Sequence, residues 1–167
     1  MEKKIRLGIV GYGNLGKGAE LAIGKNPDME LVVIFTRRDP AEFKTTASNA
    51  VFKHIRDAES YVGQLDALLL CGGSATDLPE QGPLFASMFN TIDSFDTHAK
   101  IPEYFATMDE VARKSGKTAF ISSGWDPGLF SVLRVLGESV LTDGHNYTFW
   151  GPGVSQGHSD AIRRIKG

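Results

Sequence analysis

The sequence of 167 residues has little cysteine, no long apolar run and no excess of charge of either sign. Its single cysteine, Cys71, excludes an internal disulfide and a cysteine-rich metal site, and no histidine has metal-ligand spacing. Its apolar runs are far shorter than the roughly 18 residues of a membrane helix, and the N-terminus lacks the apolar region of a signal peptide. Lys and Arg total 18 against 20 Asp and Glu, which excludes a general basic surface for nucleic acid. We therefore expect a cytoplasmic protein with no metal, membrane or nucleic-acid partner.

Short β-rich runs alternate with helical stretches along the chain. Strands are predicted at Ile5–Val10, Glu30–Phe35, Ala67–Cys71, Asn90–Phe95 and Thr118–Ser122, with a weaker one near Val51–Phe52. Helices are predicted at Asn14–Lys25, Pro79–Phe89, Ile101–Lys114 and Leu129–Leu141, with a short one near Ala58–Tyr61. This alternation predicts βαβ units and an α/β fold with a Rossmann-like, doubly wound, mainly parallel sheet.

The glycines directly after the first strand match a dinucleotide-binding fingerprint. The stretch Gly11–Gly16 reads G-x-G-x-x-G and opens a predicted helix, which is the context that gives this short pattern meaning. Gly11 permits the tight turn, Gly13 lets the backbone approach a pyrophosphate, and Gly16 allows the helix to pack closely on the strand. The alternative is a glycine-rich turn without a ligand.

The residues after the second strand favour NADP over NAD. NAD-binding folds place a carboxylate about 20 residues beyond the fingerprint, but this sequence has Thr36, Arg37 and Arg38 there. A hydroxyl and two guanidinium groups suit a ribose 2′-phosphate. A solvated basic loop is the alternative.

Two carboxylates come just after predicted strands and are the candidate catalytic groups. Asp96 follows the strand at 90–95, and Asp126 lies in the turn cluster Gly124–Gly128. The carboxyl ends of parallel strands share one crevice, so these side chains could bind a substrate ammonium, and one could act as general base. Turn or cap chemistry is an equal alternative for both. The loop at Gly72 and Gly73 is expected to pass beneath the cofactor, whereas Cys71 is expected to be a small packing residue rather than a nucleophile.

Several longer motifs go beyond the glycine fingerprint. They are Val10–Gly16, Phe35–Arg38, Gly73–Gln81, Ile92–His98, Gly124–Gly128 and Phe149–Arg164. Together they resemble meso-diaminopimelate dehydrogenase along the whole chain. The resemblance implies an NADP-dependent oxidative deamination at the D-centre of meso-2,6-diaminopimelate, giving L-2-amino-6-oxopimelate, ammonia and NADPH in lysine biosynthesis. It also implies a homodimer.

The resemblance assigns residues to each part of the site. The implied cofactor contacts, with the fingerprint glycines included, are Gly11, Tyr12, Gly13, Asn14, Leu15, Gly16, Thr36, Arg37, Arg38, Cys71, Gly72, Gly73, Ser74, Ser94, Phe95, Asp96, Ser123, Gly124, Trp125, Asp126 and Pro127. Asp96 and Asp126 are the implied catalytic residues, since they would hold the amino group of the D-centre. The implied substrate contacts add Trp150, Gln156 and Gly157.

The end of the chain departs from the family pattern. Family members continue beyond Gly167 into a domain that grips the L-centre of the substrate, so we expect this chain to be truncated. Residues 1–122 are expected to form an NADP-binding domain, and residues 123–167 to begin a substrate-binding and dimerisation region. Two alternatives stay open, namely a dinucleotide-binding module without turnover and a related reductase of the lysine pathway.

Overall fold

A computed structural model describes residues 3–141 and 143–144 of the chain. Six strands form one sheet: β1 (Ile5–Val10), β2 (Met29–Thr36), β3 (Val51–His54), β4 (Ala67–Leu70), β5 (Thr91–Asp93) and β6 (Ala119–Phe120). The strands are ordered β3-β2-β1-β4-β5-β6, and each neighbouring pair is parallel. This is the strand order of a Rossmann fold, so the predicted parallel α/β sheet is confirmed.

Helices cover both faces of the sheet, which makes it doubly wound. They are α1 (Asn14–Gly24), α2 (Leu78–Ala86) and α3 (Ile101–Ser115). A fourth helix, α4 (Phe130–Val140), packs against the turn at 125–129. Side chains alternate along β2, with Val33 and Phe35 in one buried cluster and Ile34 in the other. The first cluster includes residues of α2 and α3, and the second includes Ile23 of α1. Burial on both faces explains the nearly continuous apolar character of this strand.

Most differences from the predicted elements lie at element ends. The last strand is Ala119–Phe120 rather than 118–122, because the Ser122 N–H donates to the Asp93 carboxylate at 3.0 Å and leaves the ladder. The strand predicted at 90–95 stops at Asp93, whose side chain also accepts from the Phe95 N–H at 3.0 Å. Helix α2 ends at Ala86 rather than Phe89. The short helix predicted near 58–61 is a 3₁₀ helix over Ile55–Tyr61.

The turn cluster after β6 leads directly into α4. Gly128 has a φ of 137°, the Asp126–Pro127 peptide bond is cis, and the Leu129 N–H donates to the Gly124 carbonyl at 3.0 Å. Helix α4 leaves large apolar side chains exposed, including Val132, Val135 and Leu136. Within the described residues, no helix is both long enough and apolar enough to span a membrane.

Candidate functional site

The fingerprint glycines form a tight turn between β1 and α1. Gly11 has a φ of 92°, in the region that favours glycine, and its N–H donates to the Phe35 carbonyl at 2.9 Å. A Cβ on Gly16 would overlap the Gly11 carbonyl oxygen, so only glycine lets α1 begin this close to the strand. Gly13 differs, because a Cβ there would meet no atom within 4 Å. The turn is therefore tightly packed at Gly11 and Gly16 and open to solvent at Gly13.

The N-terminus of α1 has features that suit an anion. Gly13 is its N-cap residue and supplies no side-chain hydrogen bond, and the first turn has no acidic residue. The first backbone N–H groups of a helix have no partner within the helix and carry a partial positive charge. A phosphate group at the open side of Gly13 would therefore meet unpaired donors.

The basic residues after β2 make specific contacts with neighbouring side chains. Thr36 is buried and its hydroxyl accepts a hydrogen bond from the Arg38 N–H at 3.1 Å. The Arg37 guanidinium lies 2.8 Å from the Asp77 carboxylate, and the Arg38 guanidinium lies over the Phe43 ring, 4.5 Å from its centroid. Both arginines are exposed, so their guanidinium groups are accessible from solvent.

The loop after β4 packs against the fingerprint turn. The Cys71 N–H donates to the Val10 carbonyl at 2.8 Å, and a Cβ on Gly11 would lie 3.2 Å from the Cys71 carbonyl oxygen. Burial raises the pKa of the Cys71 thiol to about 12, so the thiol is protonated at neutral pH and is a poor nucleophile. The environment of Cys71 thus favours a packing role for its side chain.

Ser74 joins the loop after β4 to the loop after β5. Its hydroxyl accepts from the Asp96 N–H at 2.8 Å and from the Thr97 N–H at 3.1 Å. The Asp96 side chain is exposed at this junction, whereas the neighbouring Phe95 is buried and stacks on Tyr104 with a centroid distance of 4.1 Å. Of the two, only Asp96 offers its side chain to a ligand, and Phe95 could contribute only its backbone.

Asp93 ties the loop after β5 to the loop after β6. Its buried carboxylate accepts from the Tyr104 hydroxyl at 2.7 Å and from the Phe95 and Ser122 N–H groups at 3.0 Å. Its carbonyl accepts from the Ser123 N–H at 2.8 Å. These bonds place the turn that carries Asp126 beside the loop that carries Asp96.

The second candidate carboxylate is bound by residues of α4. Asp126 accepts from the Ser131 hydroxyl at 3.1 Å and lies 3.5 Å from the Arg134 guanidinium. Within the described residues, no hydrogen bond or ion pair joins Asp126 to Asp96. Trp125 is exposed and stacks on Phe130, with ring centroids 5.5 Å apart. Three predicted substrate contacts (Trp150, Gln156 and Gly157) lie outside the described residues.

A buried carboxylate behind the fingerprint turn was not among the predicted site residues. Glu20 of α1 accepts hydrogen bonds from the Tyr12 hydroxyl, from the N–H groups of Thr46 and Ala47, and from the Ser48 N–H and hydroxyl. The Tyr12 ring lies against Phe52, so Tyr12 could contact a cofactor through its backbone rather than its ring. The partners on the loop follow Glu20 by 26 to 28 residues, so no local pattern could reveal them.

We expect Glu20 to make stability dependent on acidity. Burial alone raises the pKa of Glu20, but hydrogen bonds from Tyr12, Ser48, Ala47 and Thr46 outweigh it and lower the pKa to about 2, against 4.5 ordinarily. A carboxyl with a depressed pKa stabilises the fold above its unfolded pKa and loses that contribution as the pH falls toward about 2. Glu20→Gln should cost about 2 kcal/mol at neutral pH, because the amide NH₂ group cannot accept the hydrogen bonds that one carboxylate oxygen receives from the Tyr12 hydroxyl and the Thr46 N–H.

Urea unfolding of both proteins between pH 7 and pH 2.5 tests this expectation. The stability difference between the unaltered protein and Glu20→Gln should shrink steadily below about pH 4.5. A difference that stays constant with pH would contradict an ionised Glu20 in the folded protein.

Nearly the whole chain resembles known proteins in sequence and in structure. A family model described as the diaminopimelic acid dehydrogenase C-terminal domain matches residues 124–167. The curated meso-diaminopimelate D-dehydrogenase of Ureibacillus thermosphaericus is 68% identical over 98% of this chain and 50% of its own length. The chain thus spans about half the length of the curated relatives it matches.

Solved structures agree with the sequence comparison. The diaminopimelate dehydrogenase of Corynebacterium glutamicum in complex with DAP is 48% identical, with a TM-score of 0.83 over 99% of this chain and 50% of that one. An engineered D-amino acid dehydrogenase bound to NADP⁺ is 47% identical, with a TM-score of 0.82 over the same shares. Sequence and fold together show that this chain is similar to the N-terminal half of meso-diaminopimelate dehydrogenases.

Proposed function

We propose that the protein carrying this chain is an NADP-dependent dehydrogenase that oxidatively deaminates the D-centre of meso-2,6-diaminopimelate. The observation that carries the proposal is one continuous sheet edge. There, the open turn at Gly13, the arginines after β2 and the carboxylates Asp96 and Asp126 follow strands β1, β2, β5 and β6 of the parallel sheet. In open α/β sheets this edge is where ligands bind. The relatives of this chain include enzymes named for this substrate, and an engineered one is bound to NADP⁺.

The residues present fit a dinucleotide phosphate. Gly13 has open space where a Cβ would stand, and the uncapped start of α1 provides backbone donors for a pyrophosphate. Arg37 and Arg38 provide charged donors for a 2′-phosphate. When bound, NADP⁺ supplies the hydride acceptor. Glycines of the loop after β4 and the backbone from Ser94 to Asp96 and from Ser123 to Pro127 complete the proposed cofactor site.

The proposed reaction converts an amino-bearing carbon to a carbonyl. A hydride leaves the carbon, a proton leaves the nitrogen, and water replaces the nitrogen, which departs as ammonium. The carboxylates of Asp96 and Asp126 accept hydrogen bonds from the substrate ammonium and so orient the carbon–hydrogen bond. One of them takes the proton as general base. We propose that the ring of Trp125, which is exposed beside Asp126, forms an apolar wall at the reacting carbon.

The rest of the chain supports the same proposal. We propose that residues 1–122 form the NADP-binding domain and that residues 123–167 begin the substrate-binding and dimerisation region. The match of residues 124–167 to a diaminopimelic acid dehydrogenase C-terminal domain supports this division. The exposed apolar side chains of α4 are typical of a surface that packs against another part of a protein. Trp150, Gln156 and Gly157 are proposed substrate contacts, and we propose a cytoplasmic homodimer.

Stereoisomers of the substrate test the proposed activity. NADPH formation is measured by absorbance with NADP⁺ and either meso- or L,L-diaminopimelate, the second of which has no D-centre. The proposal predicts NADPH with the meso isomer and none with the L,L isomer. Equal rates with both isomers would contradict the assignment to the D-centre, and NADP⁺ binding without any turnover would favour a binding module.

We expect the arginines after β2 to select the cofactor. Replacing both Arg37 and Arg38 with Ala should weaken NADP⁺ binding by about 1–3 kcal/mol and change NAD⁺ binding little, because only NADP⁺ offers a phosphate to their charged donors. Isothermal titration with each cofactor measures both losses. Equal losses for the two cofactors would contradict the 2′-phosphate assignment.

A further inference from the structure

One carboxylate connects the arginine after β2 to the glycine loop after β4. Asp77 directly precedes α2, and one of its carboxylate oxygens lies 2.8 Å from Nη1 of Arg37. Its other oxygen accepts a hydrogen bond from the Gly73 N–H at 2.9 Å. The Asp77 side chain is 15% exposed and the Arg37 side chain 66% exposed. A largely buried anchor thus holds a largely exposed cation.

The position of this pair in the sheet gives it a functional meaning. Strands β2 and β4 flank β1, so the two loops start about 10 Å apart on either side of the fingerprint turn. The Arg37 side chain reaches across this distance to Asp77. The pair therefore lies at the same sheet edge as the proposed cofactor site. Arg37 follows β2, and in Rossmann folds the residues that recognise the ribose follow this strand.

Asp77 is itself fixed in place. Its N–H donates to the Gly73 carbonyl at 2.8 Å, and its carbonyl accepts from the Gln81 N–H at 2.9 Å. A Cβ on Gly72 would lie 2.8 Å from the Asp77 Cβ, which shows how closely the loop wraps around this residue. The carboxylate therefore cannot move with Arg37, and it defines where the guanidinium rests.

We propose that Asp77 is a positioning residue that holds Arg37 ready for the ribose 2′-phosphate and thereby strengthens the preference for NADP over NAD. This inference rests on the proposed NADP dependence. The ion pair uses Nη1, and a guanidinium has five N–H donors, so the pair leaves donors for a phosphate. An arginine that is already ordered loses less rotamer freedom when the phosphate binds. The guanidinium also screens the phosphate from the Asp77 charge.

Asp77→Asn isolates the contact with Arg37. The amide oxygen can still accept from the Gly73 N–H, whereas the amide NH₂ group cannot pair with a guanidinium. The dissociation constant for NADP⁺ should rise about threefold to tenfold, and that for NAD⁺ should stay within about twofold. Asp109→Asn is the matched control, because it removes a carboxylate 2.8 Å from Arg113 on the exposed face of α3 and should change neither constant.

A double-mutant cycle shows whether Asp77 acts through Arg37. In an Arg37→Ala background, Asp77→Asn should have no further effect on NADP⁺ binding. A loss that persists in that background, or an equal loss for both cofactors, would overturn the inference. If Asp77→Asn fails to fold by circular dichroism, Asp77→Ser replaces it, since a serine hydroxyl also accepts from the Gly73 N–H.

The unaltered protein separates this inference from the proposed function. If it binds NADP⁺ no more tightly than NAD⁺, the proposed NADP dependence fails and this inference fails with it. If it prefers NADP⁺ and Asp77→Asn keeps the same ratio of the two constants, only the role of Asp77 is overturned.

Discussion

A Gly16→Ala variant is expected to lose about 3 kcal/mol of stability, and its melting temperature should fall by roughly 6–12 °C. The new Cβ would overlap the carbonyl oxygen of Gly11, and both sides of that contact belong to the backbone. No side-chain rotation can relieve it, so α1 must shift away from β1. Differential scanning calorimetry measures the change, and titration with NADP⁺ should show that cofactor binding is lost as well.

Two glycine variants nearby provide the controls. A Cβ on Gly18, inside α1, meets nothing within 4 Å, so Gly18→Ala should keep or raise stability by up to about 1 kcal/mol.

Gly13→Ala should also fold normally, since its φ of −84° suits any residue. It should nevertheless weaken NADP⁺ about fivefold to 150-fold, because its Cβ enters the space proposed for the pyrophosphate. Normal NADP⁺ binding by Gly13→Ala would contradict that placement.

An Asp96→Asn variant is expected to lose about 10²- to 10⁴-fold in kcat with little change in stability. The loop is held by the hydrogen bond from the Asp96 backbone N–H to Ser74, at 2.8 Å, and this bond does not involve the side chain. The substitution therefore removes only the exposed carboxylate proposed to hold the substrate ammonium. Initial rates of NADPH formation and a melting curve measure the two quantities.

Asp93 serves as the comparison, because its substitution is expected to affect stability. Asp93→Asn should lower the melting temperature, because the buried carboxylate accepts from Tyr104, Phe95 and Ser122. Near-normal kcat in Asp96→Asn would remove Asp96 from the reaction. A large loss of stability in that variant would assign it a structural role like that of Asp93.

The sequence predicts those parts of the fold that depend on residues close together in the chain. The alternation of strands and helices, and the glycines around Gly11, depend on periodicity and on backbone geometry within a few residues, and the parallel sheet is confirmed. The ends of β5 and β6 were predicted too long, because the Asp93 side chain takes over backbone donors there. That contact joins residues 29 apart and has no local pattern.

The candidate site divides in the same way. The fingerprint and the arginine pair could be found from their spacing, and their roles stay predictions. Glu20 and Asp77 were missed as anchors because each acts through residues brought near only by the fold, Thr46 to Ser48 in one case and Arg37 in the other. Acidic residues inside or just before a helix are usually solvated or capping residues. Only the three-dimensional contacts distinguish these two.

We propose that the carboxyl edge of the sheet is an NADP site. Isothermal titration of the unaltered protein with NADP⁺ and with NAD⁺ tests it most directly. We expect NADP⁺ to bind more tightly by about tenfold to 100-fold, which is the contribution of charged hydrogen bonds to one additional phosphate. Equal affinities, tighter binding of NAD⁺, or no binding of either cofactor would contradict it.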